Sequence, residues 1–400
     1  MDQPTNQVSE KAFAFDIIER NSHSIATLSD SIFYFGEVGL QEHETSRLMT
    51  RLLETDGFAV TKGIAGFPTA FMATYGSGGP VIALHTEYDA NPENSQAPGV
   101  TKRQAIIDGA PGHCEGHNVN AAVLIAAAIS LKRTLERFNL PGTIKVLGAP
   151  AEELLLSRPY FVRDGYFDGV DAAFHPHLGG EFRTTYGITN SALVSAQFIF
   201  HGETAHASTG PWKGRDALDA VVLMDMGIAQ YREHMRPTMR AHRAITNGGV
   251  QPNVIAAKAV SWWYFRDING DGAREVFDRA IKIAKGAAMM TDTTVDVEVL
   301  SAVWPVRGNK VLAEIIERNI AQVGMPSWTN EEQVFARELQ KQAGVDVEGL
   351  RDGYTPATKP AVQRSSSNDS GDITWVVPTG KISFPSTVPN LPYHNWVAGA

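Results

Sequence analysis

The first third of the chain alternates between helical and strand patterns of apolar residues. Residues 10–36 and 44–56 place apolar side chains three and four positions apart, which predicts amphipathic helices. The stretch 80–89 (PVIALHTEYD) opens with a short apolar run of strand length. An alanine- and leucine-rich stretch at 119–138 predicts a long helix, which Asn118 is placed to cap.

Two further apolar runs follow that helix and end in polar side chains. Residues 143–153 (TIKVLGAPAEE) finish with two adjacent carboxylates, and residues 170–177 (VDAAFHPH) finish with two histidines. Strand, helix and strand in this order predict an α/β fold, with a largely parallel sheet covered by flanking helices. The carboxyl ends of such strands are where open α/β sheets bind their ligands.

The pattern changes near residue 190, where strands become alternating and half-buried. Residues 192–202 and 258–267 predict such strands, with a helical stretch between them at 216–235. Helical spacing typical of the first part resumes near residue 309, and a strand at 381–385 completes it. We therefore expect one domain from residues 1–189 and 304–400, and an inserted α+β domain from residues 190–303.

Composition narrows the class of protein. A chain of 400 residues fits two domains, and its 43% hydrophobic and 20% charged content is typical of soluble proteins. No apolar run reaches the roughly 18 residues needed to span a membrane, and residues 1–20 do not resemble a secretory signal. With one cysteine, this predicts a cytoplasmic protein. The net charge of -9 disfavours a nucleic-acid partner and favours a small-molecule substrate.

Potential metal ligands recur at the predicted strand ends and beside them. A single histidine among the 12 in the chain carries little weight, but their order along the chain is informative. Ligands that converge from several strand ends are what a metal site requires. The candidates are Glu115, His117, Glu152, Glu153, His175, His177 and His394.

Several short motifs accompany these candidates in a fixed order. They are Glu87–Pro92 (EYDANP), Pro150–Glu153 (PAEE), Val170–His177, Gly202–Ala207 (GETAHA), Gly214–Ala220 (GRDALDA), Gly248–Val254, Ser367–Asp372 (SNDSGD), and His394 with Trp396. In these motifs nearly the whole chain resembles the M20 family of metallopeptidases and amidohydrolases, which includes aminoacylase, carboxypeptidase G and p-aminobenzoyl-glutamate hydrolase. The last of these branches is the most similar.

The resemblance implies a catalytic domain with an inserted domain that serves as a lid and forms a homodimer or higher oligomer. It also implies one or two divalent transition-metal ions, held by Glu115, His117, Glu153, His177 and His394. Glu115 falls at the family's usual cysteine position, and Cys114 is one residue away, so we expect Cys114 to be a small buried neighbour. A carboxylate in place of a thiolate favours manganese, iron or cobalt alongside zinc.

The remaining roles follow from the strand pattern and from the family resemblance. Consecutive residues leaving a strand face opposite ways, so Glu152 is the expected general base while Glu153 binds metal. The resemblance implies that His206 of the inserted domain stabilises developing negative charge. It also implies that Asn253 and Arg266 bind a substrate carboxylate.

Two hydrolytic reactions on a small carboxylated aromatic substrate remain open at this point. Activated water could attack an amide carbonyl, as in hydrolysis of p-aminobenzoyl-glutamate or amino-acid conjugates. Alternatively, it could attack an electron-poor ring carbon and release ammonia, as in deamination of 5-nitroanthranilate to 5-nitrosalicylate; the Glu115 substitution favours this unusual chemistry. An inactive binding or dimerisation module is a remoter alternative, because Glu152 and Glu153 are both present.

Overall fold

A computed structural model describes residues 9–400 of the chain. Residues 1–8, which belong to the predicted first domain and to the stretch compared with a secretory signal, lie outside the described residues. The described chain forms two compact units. The first runs through Gly187 and resumes over Gly308–Ala361 and Ile373–Ala400, and the second comprises Ile188–Arg307 and Val362–Asp372.

The helices and strands that the sequence pattern predicts are present and of the predicted type, and further elements accompany them. The helices are α1 (Glu10–Arg20), α2 (Ser22–Phe35), α3 (His43–Thr55), α4 (His117–Phe138), α5 (Ser157–Arg163), α6 (Ala217–Tyr231), α7 (Gly270–Met290), α8 (Lys310–Val323), α9 (Asn330–Ala343) and α10 (Gly371–Val376). The strands are β1 (Ala59–Lys62), β2 (Phe71–Ser77), β3 (Val81–Thr86), β4 (Gly142–Gly148), β5 (Ala172–Gly179), β6 (Arg183–Thr184), β7 (Gly187–Ile188), β8 (Ala192–His201), β9 (Arg240–Asn247), β10 (Lys258–Asp267), β11 (Thr294–Val303), β12 (Arg307–Gly308) and β13 (Thr379–Pro385).

The first unit contains a seven-stranded sheet in the order β1-β2-β4-β3-β5-β13-β6. Its four central strands, β4, β3, β5 and β13, are parallel to one another, and β1, β2 and β6 each pair antiparallel with their neighbours. Apolar residues of α2, α3 and α4 cover one face, and those of α5 and α10 cover the other. Because helices cover both faces of the sheet, the central strands are buried on both sides. This burial explains the nearly continuous apolar runs in their sequence.

The second unit contains a four-stranded antiparallel sheet in the order β11-β8-β10-β9. One face of this sheet packs on α6 and α7 through Phe198, Trp263 and Phe265, which are buried. The alternation seen in β8 and β10 follows from this one-sided packing. Among the described residues, no helix is both long enough and apolar enough to cross a membrane.

The start of α4 differs from its prediction. Asn118 does not cap the helix; it lies inside it, and its side chain donates a hydrogen bond to Ser29 Oγ at 3.0 Å. The cap residue is Gly116, in a left-handed conformation that glycine adopts without steric cost. The predicted cap was therefore wrong by two positions.

The loop at 362–372 lies in a different unit from the one expected. The sequence pattern placed it in the first domain, whereas it groups with the second unit. Ser191 N donates a hydrogen bond to Ser366 O at 2.8 Å, which pairs this loop with the segment before β8. The local pattern of apolar residues cannot predict such a contact between residues that are distant in sequence.

Candidate metal centre

The carboxyl ends of three adjacent parallel strands converge on one edge of the first unit's sheet. β3 leads into Glu87 and Asp89, β4 leads into the segment carrying Glu152 and Glu153, and β5 itself carries His177. This placement follows from strand direction, because parallel strands end at the same edge.

The segment before α4 contributes the next two side chains. Gly116 has φ +58°, so the chain turns sharply between Glu115 and His117, which lie immediately on either side of it. Cys114 is fully buried, and its thiol donates to Asn91 Oδ1 at 3.0 Å. Burial first, and then the nearby carboxylates of Glu115 and Glu153, raise the pKa of Cys114 to about 12. Cys114 is therefore a small buried neighbour of the cluster, as the sequence predicts.

Glu152 and Glu153 do not leave an extended strand, so the predicted reason for their different roles was wrong. β4 ends at Gly148, and residues 152–155 form a turn in which Leu155 N donates to Glu152 O. Ala151 and Leu155 have φ +59° and +55°, a left-handed conformation that is uncommon outside glycine. The alternation of a strand does not apply to such a turn. Both carboxylates reach the same cluster of ligating atoms.

The structure brings together all six residues predicted as metal ligands or general base in this unit. Their ligating atoms fall into groups whose members lie within 4.8 Å of one another. The groups are Glu115, Glu153 and His394; His117, Glu152 and Glu153; and Glu87, His117 and His177.

Direct contacts connect these groups. His394 Nε2 lies 2.6 Å from Glu115 Oε1 and 3.4 Å from Glu153 Oε2. His117 Nδ1 faces Asp89, whose Oδ1 is 3.2 Å away, and Asp89 Oδ2 accepts a hydrogen bond from Glu153 N at 3.0 Å. Asp89 thus orients one histidine and the backbone beside one carboxylate.

The site has the character of a cation-binding site. His117 Nε2 and Glu153 Oε1 are buried and have no hydrogen-bond partner within the described chain. Burial and the neighbouring carboxylates of Glu115 and Asp89 raise the pKa of Glu153 to about 7, although His117 opposes this. Burial lowers the pKa of His117, yet the hydrogen bond to Asp89 and the surrounding carboxylates hold it well above its usual value. Buried imidazole nitrogens and carboxylate oxygens without partners fit divalent transition metals.

Glu87 is a member of these groups that the sequence reasoning did not single out. It is fully buried, and its oxygens contact His175 Nε2 at 2.8 Å, Asn120 Nδ2 at 3.0 Å and the guanidinium of Arg158. Although burial opposes ionisation, His175 and Arg158 hold the pKa of Glu87 well below its usual value. His175 therefore supports Glu87 and belongs to none of the ligand groups found in the described chain. The signal that could have revealed Glu87 was its position directly after a buried strand.

The three remaining predicted residues belong to the second unit. His206 and Asn253 are exposed neighbours there, since Ala207 N donates to Asn253 O at 3.0 Å. His206 Nδ1 accepts a hydrogen bond from Ser208 N at 3.2 Å. Arg266 donates to Ser367 Oγ at 3.0 Å and lies over the Tyr264 ring.

The carboxylate and histidine cluster at the strand ends of the α/β sheet could hold divalent metal ions, and such ions activate water for hydrolysis. The chain is 33% identical to one of the subunits of Escherichia coli p-aminobenzoyl-glutamate hydrolase, covering 96% of this chain and 85% of that protein. It is 31% identical to mouse Xaa-Arg dipeptidase, covering 79% and 72%. It belongs to the M20 family of metallopeptidases and amidohydrolases.

Solved structures agree on the fold. The aminobenzoyl-glutamate utilization protein of Klebsiella pneumoniae superposes with a TM-score of 0.64 at 17% identity, covering 92% of this chain and 93% of that one. The Bacillus subtilis YxeP protein, a dinuclear metal-binding M20 peptidase, gives 0.57 at 19% identity, covering 97% and 92%. A comparison with models of protein families gives no match.

Proposed function

We propose that this chain hydrolyses the amide bond of a small, carboxylated aromatic amide of the p-aminobenzoyl-glutamate kind. The observation that carries the proposal is the cluster itself, in which buried Glu152 lies among Glu153, His117 and the other ligating groups. The similarity to the E. coli p-aminobenzoyl-glutamate hydrolase supports the choice of substrate class.

We propose that two ions bind. Glu115, Glu153 and His394 would hold one, and His117 and His177, with Glu87 on the same side, would hold the other. The oxygen-rich first position favours manganese or cobalt alongside zinc. Divalent ions at such a site polarise a carbonyl and lower the pKa of water.

The residues of the chain supply the proton transfers. Glu152 would take a proton from the attacking water as its oxygen adds to the amide carbon, and would return the proton to the nitrogen as the carbon-nitrogen bond breaks. The products are a carboxylic acid and an amine. Asn253 and Arg266 would bind the substrate carboxylate, and His206 would donate a hydrogen bond to the developing oxyanion.

Two further features are proposals of the same kind. We propose a homodimer formed through the second unit, because β9 lies at an edge of its sheet, where unpaired backbone groups favour strand pairing.

Deamination of 5-nitroanthranilate is the second candidate reaction for this cluster, since Glu115 lies within it. The relatives compared above give no support to that reaction.

The test supplies manganese, zinc or cobalt to the purified chain and follows three substrates in parallel. We expect p-aminobenzoyl-glutamate to release p-aminobenzoate and glutamate, in a reaction that Glu152→Gln abolishes. An Xaa-Arg dipeptide tests the specificity of the second relative, and 5-nitroanthranilate tests for ammonia. Ammonia release without any amide cleavage would overturn the proposal.

A further inference from the structure

Glu42 is a fully buried carboxylic acid that lies outside the ligand groups described above. It immediately precedes α3, in the N-cap position, where short polar side chains such as aspartate commonly accept a hydrogen bond from a helix amide. Its side chain makes no such cap. Instead, its two oxygens accept hydrogen bonds from Ala151 N at 2.8 Å and from Thr69 Oγ1 at 2.9 Å.

A second glutamate performs the capping that Glu42 does not. Glu37 Oε1 accepts a hydrogen bond from Glu44 N at 2.8 Å, and Oε2 accepts from Thr45 N and Thr45 Oγ1, both at 2.9 Å. Backbone amides in the first turn of α3 therefore find a side-chain acceptor in Glu37, without the side chain of Glu42. The side chain of Glu42 is left to point into the sheet edge.

The partner of Glu42 is the residue just before the two glutamates of the metal centre. Ala151 has φ +59°, a backbone conformation that alanine disfavours and that something in the surroundings must hold. Glu152 and Glu153 follow it directly in the turn. Their positions therefore depend on the conformation of Ala151.

The loop that carries Glu42 packs closely against this turn. A side-chain carbon added to Gly39 would lie only 3.1 Å from both Cα and Cβ of Ala151. The same loop is joined to the segment after β3, since Ala90 N donates to Glu37 O at 2.7 Å. Asp89 in that segment accepts the hydrogen bond of Glu153 N. Two acidic side chains thus hold alternate amides of the turn.

We propose that Glu42 is a positioning residue, which fixes the turn carrying Glu152 and Glu153 by accepting the hydrogen bond of the Ala151 amide. The proposal rests on the proposed function of Glu152 and Glu153. It adds a residue that touches neither substrate nor metal.

The charge of Glu42 indicates which substitution should preserve this role. Burial, and then the nearby carboxylate of Asp89, raise the pKa of Glu42 to about 8. A neutral carboxyl group and the amide of glutamine offer the same carbonyl acceptor to Ala151. Glutamine can also donate to Thr69 Oγ1 from its other end. Glu42→Gln should therefore retain the hydrogen bond, and Glu42→Leu should lose it with little change in volume.

The first measurement is hydrogen-deuterium exchange at the Ala151 amide of the full chain, with and without manganese. We expect Glu42→Leu to accelerate exchange by roughly tenfold, which corresponds to the loss of one hydrogen bond, and Glu42→Gln to leave it near the wild-type rate. Glu44→Leu on the exposed side of α3 is the matched control and should have no effect. Unchanged exchange in Glu42→Leu would overturn the proposal. If that variant does not fold, Glu42→Ala takes its place.

The second measurement is the division between kcat and KM with p-aminobenzoyl-glutamate. A misplaced general base should lower kcat by about 10- to 100-fold with KM nearly unchanged, and Glu42→Gln should restore kcat. Wild-type kcat in a Glu42→Leu protein with a loosened turn would refute the positioning role alone. A wild-type protein inactive on every amide would instead refute the proposed function, while amide exchange would still decide the role of Glu42.

Discussion

At the residue scale, Glu152 and Glu153 differ in surroundings although they share one turn. Glu153 contacts His394, and the nearby His117 acts to lower the pKa of Glu153. Among the ligand groups of the described chain, Glu153 belongs to two and Glu152 to one. Glu153 thus lies near both His394 and His117, whereas Glu152 shares a group with His117 and Glu153 only. The proposed roles, Glu152 as the general base and Glu153 as the ligand, can be tested separately.

Replacing Glu152 with glutamine tests that division. We expect Glu152→Gln to bind the wild-type amount of metal and to lose at least about a hundredfold in kcat, because general-base catalysis contributes at least that much. Metal content is measured by plasma emission after dialysis, and kcat by glutamate release. Glu153→Gln is the comparison variant and should lose metal. Loss of metal in Glu152→Gln would show that the two roles are exchanged.

The neighbours Cys114 and Glu115 provide a second test. Glu115 contacts His394, whereas the Cys114 thiol is buried against Asn91. We therefore expect Glu115→Ala to strip metal and Cys114→Ala to retain it. Glu115→Cys should shift the preference among competing ions toward zinc, because thiolate is the softer ligand. Equal metal content in the two alanine variants would mean that the ligand motif is wrongly placed.

At the element scale, the spacing of apolar residues depends on whether a helix or strand is buried on one face or on both. For this reason, that spacing predicted these elements. β3, β4, β5 and α4 were predicted on that basis, and their order located most of the candidate site. Periodicity contains no information about what happens after a strand ends. Backbone amides in and just before the turn after β4 donate hydrogen bonds to Glu42 and Asp89, which are distant in sequence. Glu87 likewise contacts Arg158 and His175, which are distant in sequence.

The start of α4 also depends on backbone conformation more than on side-chain pattern. Gly116 has φ +58°, and an added side-chain carbon would lie 3.4 Å from Leu178. We expect Gly116→Ala to lower the free energy of unfolding by about 1–2 kcal/mol, since alanine disfavours this conformation. It should also weaken metal binding, because Gly116 sets the relative positions of Glu115 and His117.

Gly286 in α7 is a matched control for that change. A side-chain carbon there would meet no atom within 4 Å, and the residue lies within a helix. Gly286→Ala should therefore raise the free energy of unfolding by up to about 1 kcal/mol and leave metal affinity unchanged. Urea titration of the metal-free variants measures both changes in stability. Two shifts of the same sign would contradict the role given to Gly116.

At the scale of the whole molecule, the proposed catalytic groups are divided between the two units. Glu152 and the proposed metal-binding residues belong to the first unit, and His206, Asn253 and Arg266 belong to the second. A homodimer would allow His206 to serve either its own chain or its partner. Periodicity and motif order cannot distinguish these two arrangements, because the same sequence is compatible with both.

Mixing two inactive variants distinguishes these arrangements. His206→Ala should lower kcat by roughly 10² while metal content stays at the wild-type level, as expected for a donor to an oxyanion. If His206 serves the partner's site, one heterodimer of His206→Ala with Glu152→Gln contains one site with both intact groups. Random exchange in an equal mixture should then restore about one quarter of wild-type activity, since half of the dimers are mixed and each has one competent site.

The control for this experiment is direct observation of the mixed dimer in native mass spectrometry, because absence of recovery has meaning only after the protomers have exchanged. Tagged wild-type protein mixed with untagged wild type gives the exchange rate and should keep full activity. If mixed dimers form and activity stays at the sum of the two variants, His206 does not act on the partner's site. If only monomers are seen at every concentration, the proposed homodimer is wrong. Recovery toward one quarter, rising as mixed dimers accumulate, would show that His206 acts on the partner's site.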